Sequence, residues 1–312
     1  MTDKTDIICI GESLIELSTN DSLAYADNLN KYFGGDTMTT AVTASKLGAK
    51  TGYITVIGND YLKDFLFDAC ASEGLDTSQI RLNDNQNGLY FIGKSKNGSK
   101  EVVYYRKRSA ATFLCAENIS PDYIKNSQIV YSTGLTQSLS LTAMEAVQKA
   151  FKIAKENGIK VAYDINYTTS VSNVDEVKES TDMVLPYVDI MFFNLDHDIK
   201  AVYGVSSADL AIKKLWDKGV SIVVVRETNG TVSLGYNGEI VTKQELETDV
   251  VDITGSGDAF NGAFLYGISQ GYTPFEALKL ALVTSYYQKQ GIGAIKSIPS
   301  KEVVLNHYNS LE

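Results

Sequence analysis

Short apolar runs alternate along the chain with segments in which apolar residues recur every three or four positions. Runs of this length, rich in β-branched residues, are typical of strands that are buried on both faces of a sheet. The runs are IICIG from Ile7, GYITVIG from Gly52, QIVYSTG from Gln128, IKVAYDIN from Ile159, DIMFFN from Asp189 and VSIVVVR from Val220.

The segments between these runs have the period of amphipathic helices. The clearest is LTAMEAVQKAFKIAKENG, which begins at Leu141 and ends on Gly158. Strands that alternate with helices predict βαβ units, and therefore a three-layer α/β/α sandwich with a mainly parallel central sheet. In such folds ligands bind at the carboxyl ends of the strands.

Two early segments interrupt the alternation. Residues 12–33 are polar and irregular, and residues 88–110 contain two strand-like runs separated by Asn97-Gly98, a type I′ hairpin signal. Together they predict a small antiparallel β-sheet that projects from the main body as a lid, a dimer contact or both. We therefore expect a single domain over residues 1–312 with these lid segments inserted in it.

Charge narrows the possible partners. The 312 residues include 38 acidic and 28 basic side chains, a formal net charge of −10. This balance argues against nucleic acid and against an anionic membrane surface as partners. Any anionic ligand must be held by a local basic cluster.

The few cysteines and histidines restrict the chemistry. Cys9, Cys70 and Cys115 form no C-x-x-C pair and are typical of thiols in a reducing compartment. His197 and His307 are too few for a zinc site built of histidines. Without a signal-like N-terminus or an apolar run of membrane-spanning length, the sequence predicts a soluble cytoplasmic protein.

One short stretch, DITGSGD, concentrates candidate chemistry. Gly255 and Gly257 flank Ser256 and lead into a helical segment that begins with Asp258. Backbone amides of such a loop can converge on an anion, aided by the positive end of the helix. Asp258 is then either an ordinary helix cap or an ionised base that accepts a hydroxyl proton during phosphoryl transfer.

This stretch resembles the D-T-x-G-A-G-D signature of the ribokinase/PfkB family of carbohydrate kinases. GGDTMT from Gly34 resembles the family's first signature, with Thr39 where asparagine is usual. CIGESLIEL near the N-terminus, DIN in the middle and GIGAIKSIP near the C-terminus extend the resemblance over nearly the whole chain. The resemblance implies a ribokinase-like fold, ATP and Mg²⁺ as cofactors, Asp258 as the proton acceptor, and amides of Gly255, Ser256 and Gly257 on the transferred phosphate.

The resemblance also implies where the sugar binds. Within the family, VYYRKRSAAT from Val103 resembles the branch that phosphorylates the acid sugar 2-keto-3-deoxygluconate, in which the arginine suits a carboxylate. Tyr104 can exchange roles with Tyr105, and Thr168 stands where that branch commonly has an arginine. The implied substrate contacts are Gly34, Gly35, Asp36, Tyr90, Tyr105, Arg106, Asn166 and Asp258.

ATP is expected across the C-terminal half. No protein ligand to the metal is assigned, because phosphates and water are expected to hold Mg²⁺; Asp196, His197 and Asp198 stay open at the position of a family glutamate. The chain has no P-loop motif and no G-x-G-x-x-G after its first strand. The implied nucleotide contacts are Asn194, Arg226, Thr228, Gly230, Gly255, Gly257, Gly293 and Ala294.

These expectations combine into a function. The sequence predicts ATP-dependent phosphorylation of the primary hydroxyl of a small sugar acid, with 2-keto-3-deoxygluconate as the first candidate. A fructokinase or another sugar kinase of the family is the alternative, and a sugar sensor without turnover is an alternative of another class. A homodimer through the lid is also expected.

Overall fold

The computed structural model describes residues 4–169 and 171–311. Nine of its strands form a large sheet with the order β13-β12-β11-β10-β9-β8-β1-β4-β5, and four form a small sheet with the order β3-β2-β6-β7. The strands are β1 Thr5–Ile10, β2 Leu14–Ser18, β3 Asn30–Gly34, β4 Thr51–Gly58, β5 Ile80–Asn83, β6 Gly88–Lys94, β7 Lys100–Tyr105, β8 Ser127–Thr133, β9 Lys160–Asp164, β10 Ile190–Asn194, β11 Ile222–Arg226, β12 Thr231–Tyr236 and β13 Glu239–Gln244.

The large sheet confirms the predicted α/β sandwich. All six predicted strands are present, as β1, β4, β8, β9, β10 and β11, and each pairs in parallel with its neighbours among them. Their side chains are almost all buried, which is why the sequence shows continuous apolar runs rather than alternation.

Helices cover both faces of this sheet. Helices α1, α9 and α10 pack into one apolar cluster, and α5, α6 and α8 pack into another on the opposite face. The helices are α1 Asp36–Lys46, α2 Lys63–Ser72, α3 Pro121–Lys125, α4 Gly134–Gln137, α5 Leu141–Glu156, α6 Val174–Val184, α7 Lys200–Tyr203, α8 Ala208–Asp217, α9 Ser256–Ser269, α10 Pro274–Gln288 and α11 Lys301–Ser310. In the described part of the chain no helix has the length and apolar character needed to cross a membrane.

The sequence reading missed the antiparallel edge of the large sheet. Strands β12 and β13 are joined by Asn237 and Gly238, and both residues have positive φ, 51° and 80°. Positive φ at both central residues is the mark of a type I′ turn. This turn was predicted at Asn97-Gly98 instead, where only Gly98 has positive φ, at 86°.

The small sheet is the predicted lid. Within it β2 pairs with β3, and β6 with β7, in antiparallel ribbons as expected. The two ribbons meet through a parallel pairing of β2 with β6, so Leu14 faces Gly88 and Ser18 faces Ile92. Between β6 and β7 a five-residue loop replaces the predicted two-residue turn, closed by a hydrogen bond from the Gly98 amide to the Ser95 carbonyl (2.8 Å).

Candidate active site

The loop before α9 depends on a glycine in the left-handed region. Gly255 caps the helix with φ 75°. A Cβ at this position would lie 2.8 Å from the Ala294 Cβ, so a side chain is excluded both by conformation and by space. Ala294, a predicted nucleotide contact, therefore packs directly against the glycine loop.

Three backbone amides of this loop are available to a ligand. The N–H groups of Gly255, Gly257 and Asp258 have no hydrogen-bond partner within residues 4–169 and 171–311. The Ser256 amide was predicted to hold the phosphate, but it donates to the Ile253 carbonyl (3.1 Å) and closes the turn. The Asp258 amide is free instead, and all three free N–H groups lie at the N-terminus of a fourteen-residue helix, where an anion is favoured.

The Asp258 carboxyl lies half-buried in the first turn of α9. Burial and the nearby carboxylates of Asp36 and Asp164 raise its pKa well above the usual aspartate value, while Arg226 lowers it. Burial and two like charges thus act against the positive end of the helix, which favours the ionised carboxylate. A carboxyl with a raised pKa is the better proton acceptor near neutral pH.

A buried network holds the loop from below. The Arg226 guanidinium donates to the Gly257 carbonyl (2.7 Å), the Asn261 side chain (2.9 Å) and the Asp164 carboxylate (2.9 Å). The Asn261 amide also donates to Asp164 (2.6 Å). Arg226 was predicted as a nucleotide contact, but its guanidinium hydrogen-bonds to groups within the protein, on the inner side of the glycine loop.

Asp198 extends this network along the strand ends. Its carboxylate accepts hydrogen bonds from the amides of Asn194 (2.6 Å) and Tyr167 (2.9 Å). Burial and the neighbouring Asp164 raise the pKa of Asp198 to about 7. Of the three residues left open at the family's glutamate position, Asp198 is therefore the buried one that faces the site.

The other two residues of that trio face outward. Asp196 is exposed and accepts hydrogen bonds from the Thr228 amide (3.1 Å) and hydroxyl (2.8 Å), and His197 is also exposed. Asn194 caps this segment through its side-chain oxygen, which accepts from the Asp196 amide (2.9 Å). Two predicted nucleotide contacts, Asn194 and Thr228, thus lie on adjacent loops joined through Asp196.

Two further predicted nucleotide contacts are turn glycines. Gly230 has φ 82° in the turn before β12. Gly293 has φ 86°, and its amide donates to the Asp252 carboxylate (3.1 Å). Asp252 also accepts from the Thr254 amide (3.0 Å), so it connects the 293 loop to the glycine loop.

Asp36, predicted to bind the sugar, lies at the other side of the site. Its carboxylate accepts from the Thr133 hydroxyl (2.6 Å) and from the side-chain amide of Asn166 (3.1 Å), another predicted sugar contact. Asn166 adopts φ 43°, which turns the chain sharply after β9. The structure therefore brings Asp36 and Asn166 together although 130 positions separate them in the sequence.

The diglycine before Asp36 permits close approach to the lid. A Cβ on Gly34 would lie 2.5 Å from the Tyr90 hydroxyl, and Gly35 has φ 129°. Tyr90 is buried, and its hydroxyl donates to the Glu16 carboxylate (2.5 Å). The predicted contacts Gly34, Gly35 and Tyr90 form one wall, with Glu16 behind it.

Strand alternation decides between the two neighbouring tyrosines of the lid. Tyr104 stacks on Tyr90 with 5.6 Å between ring centroids, and the Arg106 guanidinium lies over the Tyr104 ring, 5.8 Å from its centroid. Tyr105, the predicted contact, points to the opposite face, packs against Phe91 and is 64% exposed. Tyr104, the alternative contact, is 49% exposed and is the one of the two that stacks on Tyr90.

The pKa of the Tyr104 hydroxyl depends on the charged groups of the site. Burial raises the pKa of Tyr104, and the carboxylates of Asp258, Asp36 and Glu12 raise it further, whereas Arg106 lowers it. Tyr104 therefore lies within electrostatic reach of both aspartates that flank the reaction centre.

Arg106 lies in the site but already has a counter-charge. Its guanidinium pairs with the Glu12 carboxylate (2.5 Å), and the arginine side chain is only 12% exposed. The Ser109 hydroxyl also donates to Glu12 (3.0 Å), yet burial still raises the pKa of Glu12 to about 6. The Arg106 Nε is buried and has no partner among the described residues.

Sequence reasoning missed several residues of this site. Glu12 lies just before β2 and Glu16 within it, and two acids in the largely apolar stretch GESLIEL were an available signal. Asp164 stands in the DIN motif and Asn261 lies three residues after Asp258, but their pairing spans 97 positions and leaves no local pattern.

Within the described ranges, no group of three or more His, Cys, Asp or Glu side chains is arranged to hold a metal ion. Asp164 and Asp198 are neighbours, but the Asp198 carboxylate is taken up by two backbone amides and Asp164 by Arg226 and Asn261.

Comparisons with known proteins agree with this geometry. A family model described as pfkB family carbohydrate kinase matches residues 4–301. A 5-dehydro-2-deoxygluconokinase of Clostridium perfringens is 27% identical over 311 residues, covering 96% of this chain and 92% of that protein. A 2-dehydro-3-deoxygluconokinase of Thermoproteus tenax is 28% identical over 301 residues, covering 94% and 91%.

A solved structure supports the same fold. The crystal structure of a putative ribokinase II from E. coli, in complex with ATP and Mg²⁺, has a TM-score of 0.90 to this chain. It is 22% identical, and the match covers 99% of this chain and 100% of that one. At this identity the likeness supports the fold.

Proposed function

The chain belongs to the pfkB family of carbohydrate kinases, and from this premise we propose that it transfers the γ-phosphate of ATP to the primary hydroxyl of a keto sugar acid. The first candidate is 2-keto-3-deoxygluconate, also called 2-dehydro-3-deoxygluconate. The relatives from Thermoproteus tenax and Clostridium perfringens are both named as kinases of deoxygluconate acids that carry a keto group, which supports this class.

One observation carries the proposal. The Asp258 carboxyl and three unpartnered amides, those of Gly255, Gly257 and Asp258 itself, occupy one helix terminus. A proton acceptor and an anion site are thereby held within a single rigid turn. Positioning and charge stabilisation are what phosphoryl transfer requires of a protein.

The residues divide the reaction between them. Asp258 accepts the proton of the sugar hydroxyl while the hydroxyl oxygen forms a bond to the γ-phosphorus of ATP. At the same time the bond breaks between the γ-phosphorus and the bridging oxygen, which leaves with ADP. Amides of Gly255 and Gly257 hold the transferred charge. Arg226 acts as a positioning residue, since it anchors the Gly257 carbonyl from below.

The nucleotide and metal fit this arrangement in different ways. The glycine-loop amides, with Thr228, Gly230, Asn194, Gly293 and Ala294 around them, would hold ATP. Mg²⁺, when bound with ATP, neutralises phosphate charge, and phosphates and water would hold it because the described residues supply no sufficient ligand set.

The sugar would bind between the lid and the diglycine wall. Asp36 and Asn166 would contact its hydroxyls, and Tyr90 and Tyr104 would cover one face. Arg106 would meet its carboxylate through its guanidinium, whose Nε has no partner among the described residues. An arginine that has one nitrogen paired and one left open suits a second anionic oxygen.

The pairing of Arg106 with Glu12 favours a second candidate. Because Glu12 already balances the charge of Arg106, a neutral sugar binds here without leaving a charge uncompensated. A fructokinase is therefore the alternative function. Thr168, in place of an arginine, supports it as well.

A substrate panel separates the two candidates. ADP formation is measured with a coupled assay on 2-keto-3-deoxygluconate, 5-dehydro-2-deoxygluconate, fructose, ribose and no sugar. We expect the highest kcat/KM with one of the two acids. Preference for fructose or ribose would overturn the acid assignment and leave the kinase assignment intact.

The catalytic role is tested at Asp258. Asp258→Asn keeps the size of the side chain and removes the base, and we expect kcat to fall roughly a thousandfold or more while sugar binding by calorimetry persists. Normal turnover in this variant would make Asp258 only a helix cap. A wild-type protein that binds a sugar and never forms ADP would instead be a sensor.

The homodimer stays a proposal. The lid exposes Val102, Val103 and Tyr105, and a second lid would cover such a surface. Light scattering of the purified chain measures the mass directly, and a monomer at micromolar concentration would contradict it.

A further inference from the structure

One lysine of the lid reaches across to the core. Lys100 begins β7, and its ammonium lies 3.2 Å from the Asp252 carboxylate, next to the Thr254 hydroxyl. The Lys100 side chain is 39% exposed and Asp252 is 16% exposed, so the pair is only partly screened by water. It spans a cavity of about 680 Å³ between the lid and residues 291–297.

Asp252 fixes the entrance to the glycine loop. One carboxylate oxygen accepts from the Thr254 amide (3.0 Å) and hydroxyl (2.6 Å), and the other accepts from the Gly293 amide (3.1 Å). The Thr254 carbonyl accepts from the Gln288 side chain (2.6 Å). Thr254 directly precedes Gly255, so any group that holds Asp252 and Thr254 also orients the anion site.

The same lysine separates two acids. Glu16, on β2 of the lid, is buried, and its Oε1 has no partner in the part of the chain that the structure describes. Asp252 raises the pKa of Glu16 and Lys100 lowers it, with burial as the largest cause of its elevation. Without a cation between them, lid and core would present like charges to each other across the cavity.

We propose that Lys100 is a positioning residue that latches the lid to the glycine loop, so that lid closure over the sugar orders the amides that receive the phosphate. The proposal rests on the kinase function proposed above. It gives the lid a role beyond covering the sugar, because the latch links the sugar side of the site to the phosphate side through one ion pair.

The chain supplies a matched control. Lys94 faces Lys100 directly across the β6–β7 ribbon and lines the same cavity. Its ammonium has no ion pair within the described ranges. Lys94→Met therefore removes the same charge from the same sheet without touching the latch.

Kinetics give the first test. For Lys100→Met we expect the KM for the sugar to rise roughly fivefold, with folding unchanged by thermal melting. Lys94→Met should have the KM of the wild type, and the KM of Lys100→Arg should lie close to the wild-type value. Added salt should raise the KM of the wild type toward that of Lys100→Met and should change the variant little.

Hydrogen exchange gives a test that does not need turnover. In the free protein we expect faster exchange of residues 250–260 in Lys100→Met than in wild type, and no change in Lys94→Met. Unchanged exchange in Lys100→Met, or equal effects of both substitutions, would overturn the latch. A wild type that phosphorylates no sugar would overturn the kinase function instead, and the exchange result would still decide the latch.

Discussion

Two arginine–carboxylate pairs lie on the core side and the lid side of the candidate site, and they differ in how completely they are hydrogen-bonded. On the core side, Arg226 pairs with Asp164 and makes two further hydrogen bonds, to Gly257 and Asn261. On the lid side, Arg106 pairs with Glu12, while its Nε stays buried without a partner among the described residues.

The difference separates a scaffold from a recognition group. An arginine with three good acceptors holds its surroundings in one geometry and has little left for a ligand. An arginine with an unsatisfied buried donor carries a desolvation cost that an incoming acceptor relieves. We therefore expect Arg226 to govern the shape of the glycine loop and Arg106 to govern the choice of sugar.

Breaking the core pair should have the largest effect. Arg226→Met leaves the buried Asp164 carboxylate without its counter-charge, and we expect the free energy of unfolding to fall by about 3 kcal/mol or more. Because Gly257 loses its anchor, kcat should also drop, and chemical denaturation with steady-state kinetics measures both. An unchanged unfolding free energy would show that the pair is not a scaffold.

Breaking the lid pair should affect binding more than folding. In Arg106→Met the Glu12 carboxyl, whose pKa is about 6 even beside Arg106, can take up a proton, so stability should fall by only about 1–2 kcal/mol. The KM for the sugar acid should rise roughly ten- to a hundredfold with little change for ATP. The two KM values from initial rates test this.

Glu12→Gln is the matched control for that variant. It keeps Arg106 and removes the competing carboxylate, so the ratio of kcat/KM for sugar acids to that for neutral sugars should increase. An equal loss for acids and neutral sugars in Arg106→Met would contradict a recognition role for this pair.

The smallest expected effect concerns the pKa of Asp258 and the pH at which activity declines. Burial, Asp36 and Asp164 raise the pKa of Asp258, so activity, which needs its ionised form, should decline on acidification at a higher pH than for an ordinary aspartate. Asp36→Asn removes one like charge, lowers the pKa of Asp258 and should shift this limb of the kcat/KM profile to lower pH. A shift to higher pH would contradict this electrostatic account.

The central sheet was predictable because its strands are buried on both faces. Such strands leave continuous apolar runs, and β1, β4, β8, β9, β10 and β11 all matched them. The edge strand β13 was missed because none of Glu239–Gln244 is buried, and β12 was missed because Ser233 and Gly235 interrupt its apolar run although its four central residues are buried. Asn-Gly between two strands predicts a two-residue type I′ turn. Such a turn is present at Asn237-Gly238, whereas Asn97-Gly98 lies in a five-residue loop.

The candidate site was predictable where motifs are local and less so where partners are distant. The glycine loop and Asp258 follow from DITGSGD alone. Whether Tyr104 or Tyr105 faces the site depends on the register of β7, which a run of two tyrosines does not specify. Arg226 was assigned to ATP because no acceptor within the protein could be identified from the sequence. Its three acceptors lie 31 to 62 positions away.

The parallel pairing of β2 with β6 has a consequence for how the chain folds. A β2–β3 ribbon can form from neighbouring residues, but its partner strand follows only after α1, β4, α2 and β5. Pairing across such a separation is slow because a long loop must close first. We therefore expect the lid to be completed after this part of the core, and β2 to spend that interval with an open strand edge, where a nascent chain is most prone to associate with its neighbours.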